Sequence, residues 1–263
     1  MKRLGLVDKT HRYSYTQLES VSECPYMFYL ERLEDHKDEL VSNSFALQGS
    51  LIHDLVDKWA KGELKKEELP GEYKRRYPLE VPNDWPRMLA SKGYASKTYE
   101  QGLQYFEDFN EFEGYEVIAS EQRFTTKIDG RLFTGIIDMI LKDKKTGEYI
   151  ICDHKSKSHS SFSKNAKKMF RQQLMYAKYF KEKYKRFPDK LMFNLFKEGG
   201  MLVIEAFDEA QYDETIKWAK EQIEKIESYE LLDWYTTKEG ADEKKDFFCC
   251  NICSCRKICP NGY

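Results

Sequence analysis

Two carboxylates sit where a chain rarely tolerates charge. Asp138 interrupts the apolar run Gly135-Ile136-Ile137-Asp138-Met139-Ile140, and Asp153 ends the run Tyr149-Ile150-Ile151-Cys152. A buried charge needs an opposite charge, hydrogen bonds or a metal. Both runs read as strands, and Lys144-Lys145-Thr146-Gly147 reads as the turn of a hairpin joining them. If the strands pair through that turn, Asp138 and Asp153 can come close. Two carboxylates with backbone or water oxygens suit Mg²⁺ or Mn²⁺. Lys155 follows Asp153 by two residues and shares its face of an extended strand. Its ammonium could orient or help deprotonate a water, or balance charge on a phosphate.

The remaining chain offers layers to cover such a sheet. Residues 14 to 33 read as a helix, with Thr16 and Glu19 as a capping box and Pro25 as a break or restart. Residues 46 to 60 form a second helix, whose apolar side carries Ile52, Leu55, Val56 and Trp59 while His53 is offset from that stripe. Residues 62 to 93 read as a surface excursion with short helical pieces, and 95 to 110 as a helix. The period then changes to strands over 115 to 126, 131 to 141 and 148 to 153. A basic, aromatic helix over 164 to 184, strands over 190 to 197 and 201 to 207, and a helix over 209 to 232 complete the order. This predicts an α/β sandwich with a mixed sheet and helical additions. With 41% hydrophobic residues in 263, the chain can bury a real core and is not disordered in bulk.

Cysteines cluster at one end. Five of seven fall between Cys249 and Cys259. No apolar run is long enough to span a membrane, and the opening MKRLGLVDKTHRY lacks the apolar core of a signal peptide. The expected compartment is therefore intracellular, cytoplasmic or nucleoid-associated, where thiols serve as ligands or stay free rather than pair. Cys250, Cys253 and Cys259 form a compact ligand run, and Cys24 could supply a fourth thiolate. All-thiolate ligation admits zinc or a 4Fe–4S cluster, and spacing does not choose between them. Either Cys249 or Cys255 could be an alternate ligand. Cys152 reads as a buried small hydrophobe.

Net charge is −2, so the molecule is no polycation. Residues 154 to 190 nevertheless hold twelve Lys or Arg against only Glu182 and Asp189. Such a segment could face phosphate or merely solvate a helix. His159, the serines at 156, 158, 160, 161 and 163, and Lys157, Lys164, Lys167, Lys168 and Arg171 form a polar, basic stretch beside the Asp-x-Lys strand. It could track a nucleic-acid backbone but carries no base code.

In order, the motifs are Ser14 to Leu33 with Cys24-Pro25, Gly49-Ser50-Leu51-Ile52-His53, Gly135-Ile136-Ile137-Asp138, Asp153-His154-Lys155, the pair Gln172 and Tyr176, and the terminal cysteines. Together they resemble the PD-(D/E)xK nuclease superfamily, and within it the RecB-like branch that includes the AddB nuclease domain and CRISPR-associated iron–sulfur exonucleases. The resemblance implies an α/β fold: a restriction-endonuclease-like core with a mixed central sheet, flanking helices and a cysteine-stapled region joining the N- and C-terminal helices. It implies one nuclease domain over 1 to 263, with a helical region at 14 to 110, a core at 115 to 207 and a C-terminal helix and cysteine cluster at 208 to 263. His53, Asp138, Asp153 and the His154 carbonyl would hold Mg²⁺ or Mn²⁺. Asp138, Asp153, Lys155, Gln172, Tyr176 and Glu121 would be catalytic, and Cys24, Cys250, Cys253 and Cys259 would hold a 4Fe–4S cluster.

The implied activity is a DNA exonuclease acting on single strands or duplex ends and leaving 5′-phosphates, in recombination, repair or replication. A structure-specific endonuclease, a non-catalytic iron–sulfur DNA-binding subunit and an RNA nuclease are the rivals. No helicase ATP-binding motif is present, so a helicase or single-strand-binding protein would act in trans. The oligomeric state is left open.

Overall fold

The structure is a computed structural model describing residues 7, 10–33, 40, 43–83, 85, 87–110, 112–163, 166–235 and 252–259. Cys249, Cys250, Lys164 and the expected linker at 236–246 lie outside the described residues, as does the side chain of Lys167.

Two compact units partition the chain. The larger holds residues 44–124 and 136–212, and the smaller holds 1–43, 125–135 and 213–263. One mixed sheet contains six strands: β1 (Arg12–Tyr13), β2 (Tyr115–Ile128), β3 (Arg131–Asp143), β4 (Tyr149–Lys155), β5 (Lys190–Leu195) and β6 (Met201–Ala206). β2 pairs β3; the remaining order is β1-β3-β4-β5-β6. β3 and β4 are antiparallel with Met139 opposite Cys152, β4 and β5 run parallel, and β5 and β6 are antiparallel. The mixed α/β fold expected from the sequence is present, and it matches a restriction-endonuclease-like core.

The expected hairpin turn is closed by the Gly147 N–H donating to the Asp143 carbonyl at 2.8 Å. Asp143 Oδ1 also accepts the Lys145 and Thr146 amides. A second hairpin signal, Asp129-Gly130, has φ of 49° and 78° and joins β2 to β3. Two successive positive φ values suit the twist of a two-residue hairpin turn.

In the larger unit, α3 (Ser44–Ala60), α4 (Leu69–Glu80) and α6 (Tyr94–Glu107) cover one sheet face. Leu51, Ile52, Leu55, Val56, Tyr73, Tyr105 and Phe106 pack with Met139, Leu141, Ile150, Cys152 and Met192. Each fully buried aliphatic or aromatic side chain contributes about 1.5–3 kcal/mol. The stretch 62–93 is more ordered than its polar composition suggests. Leu69 and Tyr73 anchor α4 in the core, and Gly102 of α6 meets Tyr73 so closely that a Cβ there would lie 2.2 Å from its hydroxyl. On the opposite strand face, α8 (Ala166–Tyr184) contributes Phe170, packed against Phe193 at 4.9 Å. α5 (Arg87–Ala90) and α7 (His159–Ser163) are short connectors.

In the smaller unit, the first helix divides at Cys24 into α1 (Tyr15–Glu23) and α2 (Pro25–Arg32). Proline is accommodated at the first helical position, so Pro25 restarts rather than breaks the helix. The capping box falls two residues earlier than Thr16 and Glu19, on Ser14 and Gln17. α9 (Glu209–Ser228) begins in the larger unit and ends in the smaller, followed by α10 (Leu231–Trp234). Trp234 stacks on Phe28 at 5.3 Å. No described helix is long and apolar enough to cross a membrane.

Candidate active site

The side chains of β4 alternate between the two faces, and that alternation builds the site. Asp153 and Lys155 point one way, while His154 between them points the other. β3 and β4 pair from Lys142 and Tyr149 up to Met139 and Cys152, and Asp138 and Asp153 are the next residues beyond that pair. Asp138 Oδ2 accepts the backbone N–H of His154 at 2.9 Å.

α3 brings His53 to the same place. Its apolar stripe is sealed in the core, leaving His53 at the rim with a quarter of its side chain exposed. Nδ1 lies 3.5 Å from Asp138 Oδ2 and 3.8 Å from Glu121 Oε1. Nε2 lies 3.0 Å from the carbonyl oxygen of His154. Glu121 has φ 45° in the middle of β2, a left-handed conformation costing about 1–3 kcal/mol for a non-glycine residue. That departure from strand geometry falls on the residue whose carboxylate reaches His53. One donor atom each from His53, Glu121 and Asp138 lie within 4.8 Å of one another.

Asp153 is 4% exposed and pairs with Lys155, whose ammonium lies 2.9 Å from Oδ2 and 3.2 Å from Oδ1. Oδ2 is sealed from solvent and accepts no aligned hydrogen bond among the described residues, so its contact with the ammonium is ionic. Lys155 also donates to Gln172 Oε1 at 3.1 Å, and Gln172 Nε2 donates to the Tyr176 hydroxyl at 3.1 Å. Gln172 and Tyr176 are one helical turn apart on α8. The neighbouring Gln173 turns away and donates to the Met192 carbonyl.

The electrostatics suit a cation. Burial opposes a charge on His53, yet Asp138, Glu121 and Asp153 together raise its pKa to about 9. Burial lifts Asp138 to about 6, against the opposing pull of His53. The imidazolium therefore occupies a place where negative charge converges. An imidazole nitrogen, several carboxylate oxygens and a backbone carbonyl make a donor set that fits Mg²⁺ or Mn²⁺. The sealed, unaligned Asp153 Oδ2 fits the same conclusion.

A family model for the PD-(D/E)XK nuclease superfamily matches residues 12–260. The chain belongs to this superfamily. PD-(D/E)XK nucleases use divalent metals and act on DNA. Asp138 and Asp153-His154-Lys155 occupy neighbouring antiparallel strands of the sheet. No curated protein matches the chain.

Behind the PD-(D/E)XK strands lies a buried support that the sequence reading missed. His154 Nδ1 is 3.1 Å from Asn194 Nδ2, which also donates to the Tyr105 hydroxyl at 2.7 Å. The His154 ring meets His53 edge-on at 5.3 Å and Phe112 at 5.9 Å. Burial holds His154 well below the ordinary histidine pKa, so it is neutral. The signal was available: Asn194 interrupts the apolar run Leu191-Met192-Phe193-Asn194-Leu195, as Asp138 interrupts its own.

Cys253, Cys255 and Cys259 occupy the smaller unit, away in sequence from these carboxylates. Cys24 sits between α1 and α2. Cys253 Sγ approaches Met27 Sδ at 3.8 Å, Cys255 Sγ approaches the Met27 carbonyl at 3.8 Å, and Ser254 donates to Glu31. The cysteine segment thus packs along α2, the helix that Cys24 begins. The Cys255 thiol hydrogen-bonds Cys253 and lowers its pKa to about 7, while Cys255 is itself pushed up. Among the described residues the structure brings Cys253 beside Cys255 rather than gathering Cys24, Cys253 and Cys259 into one ligand group.

Proposed function

We infer that this PD-(D/E)XK nuclease is a RecB-like DNA exonuclease, hydrolysing single strands or duplex ends. The observation that carries the reading is the convergence of His53, Glu121, Asp138, Asp153 and Lys155 from α3, β2, β3 and β4. His53, Asp138, Asp153 and the His154 carbonyl would hold the ion, and Glu121 adds a further carboxylate beside His53. When bound, Mg²⁺ or Mn²⁺ supplies Lewis acidity at the phosphate and a lowered water pKa.

The chain's own residues do the rest. Asp153 holds Lys155 against the reacting centre. Lys155 balances developing charge and orients the attacking water. Gln172 fixes the ammonium by accepting its hydrogen bond. Tyr176, kept as a phenol by burial, holds Gln172 in that orientation. Lys157, Lys168 and Arg171 supply phosphate contacts along the strand entering the site.

The second group, Cys24, Cys250, Cys253 and Cys259, would hold a 4Fe–4S cluster that ties the chain ends into one nuclease domain. Its role is structural, since the smaller unit contains no residue of the proposed hydrolytic set. Recombination, repair or replication would use such an enzyme, with any helicase or single-strand-binding protein supplied in trans.

Linear and closed circular single-stranded DNA, each incubated with Mg²⁺ or Mn²⁺, test the exonuclease reading. Degradation of the linear strand with survival of the circle is expected. Cutting of the circle at a comparable rate would replace it with an endonuclease.

A further inference from the structure

The first turns of α3 carry a feature that metal binding does not use. Phe45, Gly49 and His53 follow one another at four-residue intervals, so they share one helix face over about 12 Å. Gly49, in the middle, faces open space: a side-chain carbon built there would meet nothing within 4 Å. Glycine inside a helix is destabilising relative to alanine. No tight packing in this structure calls for it.

At the far end of the face is a cluster of cations and rings. The Lys197 ammonium lies 4.6 Å from the centre of the Phe45 ring. Tyr94 stands 6.5 Å from Phe45, with the Lys97 ammonium 5.9 Å from its own ring. Among the described residues no carboxylate pairs with Lys97 or Lys197. Glu198, the chain neighbour of Lys197, instead turns to the His159 amide. Burial and the nearby Lys97 charge push the Lys197 pKa down to about 8. Among the described residues, two like charges thus lie beside aromatic faces, one of them partly desolvated.

The cluster also lies at the correct end of the sheet. β5 runs parallel to β4 with Leu195 opposite Lys155, and Lys197 follows Leu195 by two residues. A strand leaving the carboxylates past the open space at Gly49 would run toward Phe45, whose ring also meets Trp85 edge-on at 4.7 Å, and Lys197.

We propose that Phe45, Gly49, Lys97 and Lys197 form a second nucleic-acid subsite, where a single-stranded DNA segment passes over Gly49, stacks a base on Phe45 and places a phosphate between the two lysines. Aromatic faces accept any unpaired base, so the subsite selects single strands without reading sequence. The proposal rests on the nuclease reading above and deepens it.

Anisotropy of a fluorescent oligo(dT) with Ca²⁺, followed across a salt series, tests the subsite separately from cleavage. Lys97→Met and Lys197→Met keep the apolar stems and remove the charges. Together they should weaken binding several-fold and make the salt dependence shallower by about 1.4 in log–log slope. Phe45→Ala should cost about fivefold or more on oligo(dT) and little on an oligonucleotide abasic throughout. Gly49→Ala should raise the melting temperature yet weaken oligo(dT) binding, an opposition that a purely structural glycine does not produce. Binding by wild type with all four variants unchanged overturns the subsite and leaves the nuclease reading standing. Equal competition by inorganic phosphate at the concentration of oligonucleotide phosphate reduces it to an anion site and overturns the strand path. Neither binding nor cleavage by folded wild type overturns both.

Discussion

The backbone N–H of His154 donates to Asp138 Oδ2 at 2.9 Å, while the carbonyl of the same residue lies 3.0 Å from His53 Nε2. One peptide segment of β4 thus fixes a β3 carboxylate and an α3 imidazole at once. The site depends on strand register as much as on side-chain identity.

The protonation of His53 and Asp138 gives the metal-free protein a signed pH dependence. Folded His53 has a pKa of about 9 against 6.5 ordinarily, so its stabilisation is complete below pH 6.5 and lost as pH rises through 9. Folded Asp138 stands at about 6 against 3.8, so it too binds more protons when folded, and stability falls as pH rises across that interval. In EDTA, the melting temperature should fall from pH 6.5 to 9, and His53→Gln should flatten the decline. Mn²⁺ should release protons on binding and bind more tightly with rising pH. A melting temperature that climbs over this range in EDTA would contradict the assignment.

Asn194 is expected to matter through His154. Asn194→Ala leaves His154 and the Tyr105 hydroxyl short of a buried partner, at about 1–3 kcal/mol. It should also weaken Mn²⁺ binding by roughly tenfold, as loss of an outer partner of a metal site does. Urea denaturation and calorimetric titration read the two effects. Unchanged Mn²⁺ affinity in a folded variant would limit Asn194 to packing.

Gly102 tests the core away from the site. A Cβ there would meet the Tyr73 hydroxyl at 2.2 Å, and Tyr73 is itself held by Gln48 at 3.1 Å. Gly102→Ala should destabilise by about 1–3 kcal/mol in urea while the activity per folded molecule is kept. A neutral outcome would mean that α4 and α6 separate without cost.

Cys253 is expected to be a cluster ligand, with its thiol lowered to about 7 by Cys255. Protein purified without oxygen should be brown, with iron and sulfide in equal amounts, and Cys253→Ala should lose both along with folded yield. Zinc in their place, or a Cys253→Ala protein with full iron, would rule out that role.

Most of the candidate site is legible in the sequence because chemistry leaves marks in an apolar strand. Asp138, Asp153 and Lys155 stand out as charge in an apolar run, and the Thr146-Gly147 turn joins the strands that carry them. His53 and Glu121 were harder: a histidine on a helix rim and a glutamate in a strand are ordinary until α3 and β2 fold onto β3. The capping box lies on Ser14 and Gln17 rather than on Thr16 and Glu19, since Ser14 and Thr16 are both competent caps. α4 leaves a faint mark in the sequence because only Leu69 and Tyr73 of its residues are buried. The Asn194 support needed the β4–β5 pairing, which sets His154 opposite Asn194.

Cleavage of end-labelled single-stranded and duplex DNA by wild type, Asp153→Ala and Lys155→Met, each with Mg²⁺ or Mn²⁺ and with EDTA, tests the central claim most directly. Metal-dependent cutting by wild type should fall by about 100-fold or more in both variants, since each loses charge at the reacting centre. Folded variants that cut at the wild-type rate, or a folded, metal-loaded wild type that cuts neither substrate, would contradict it.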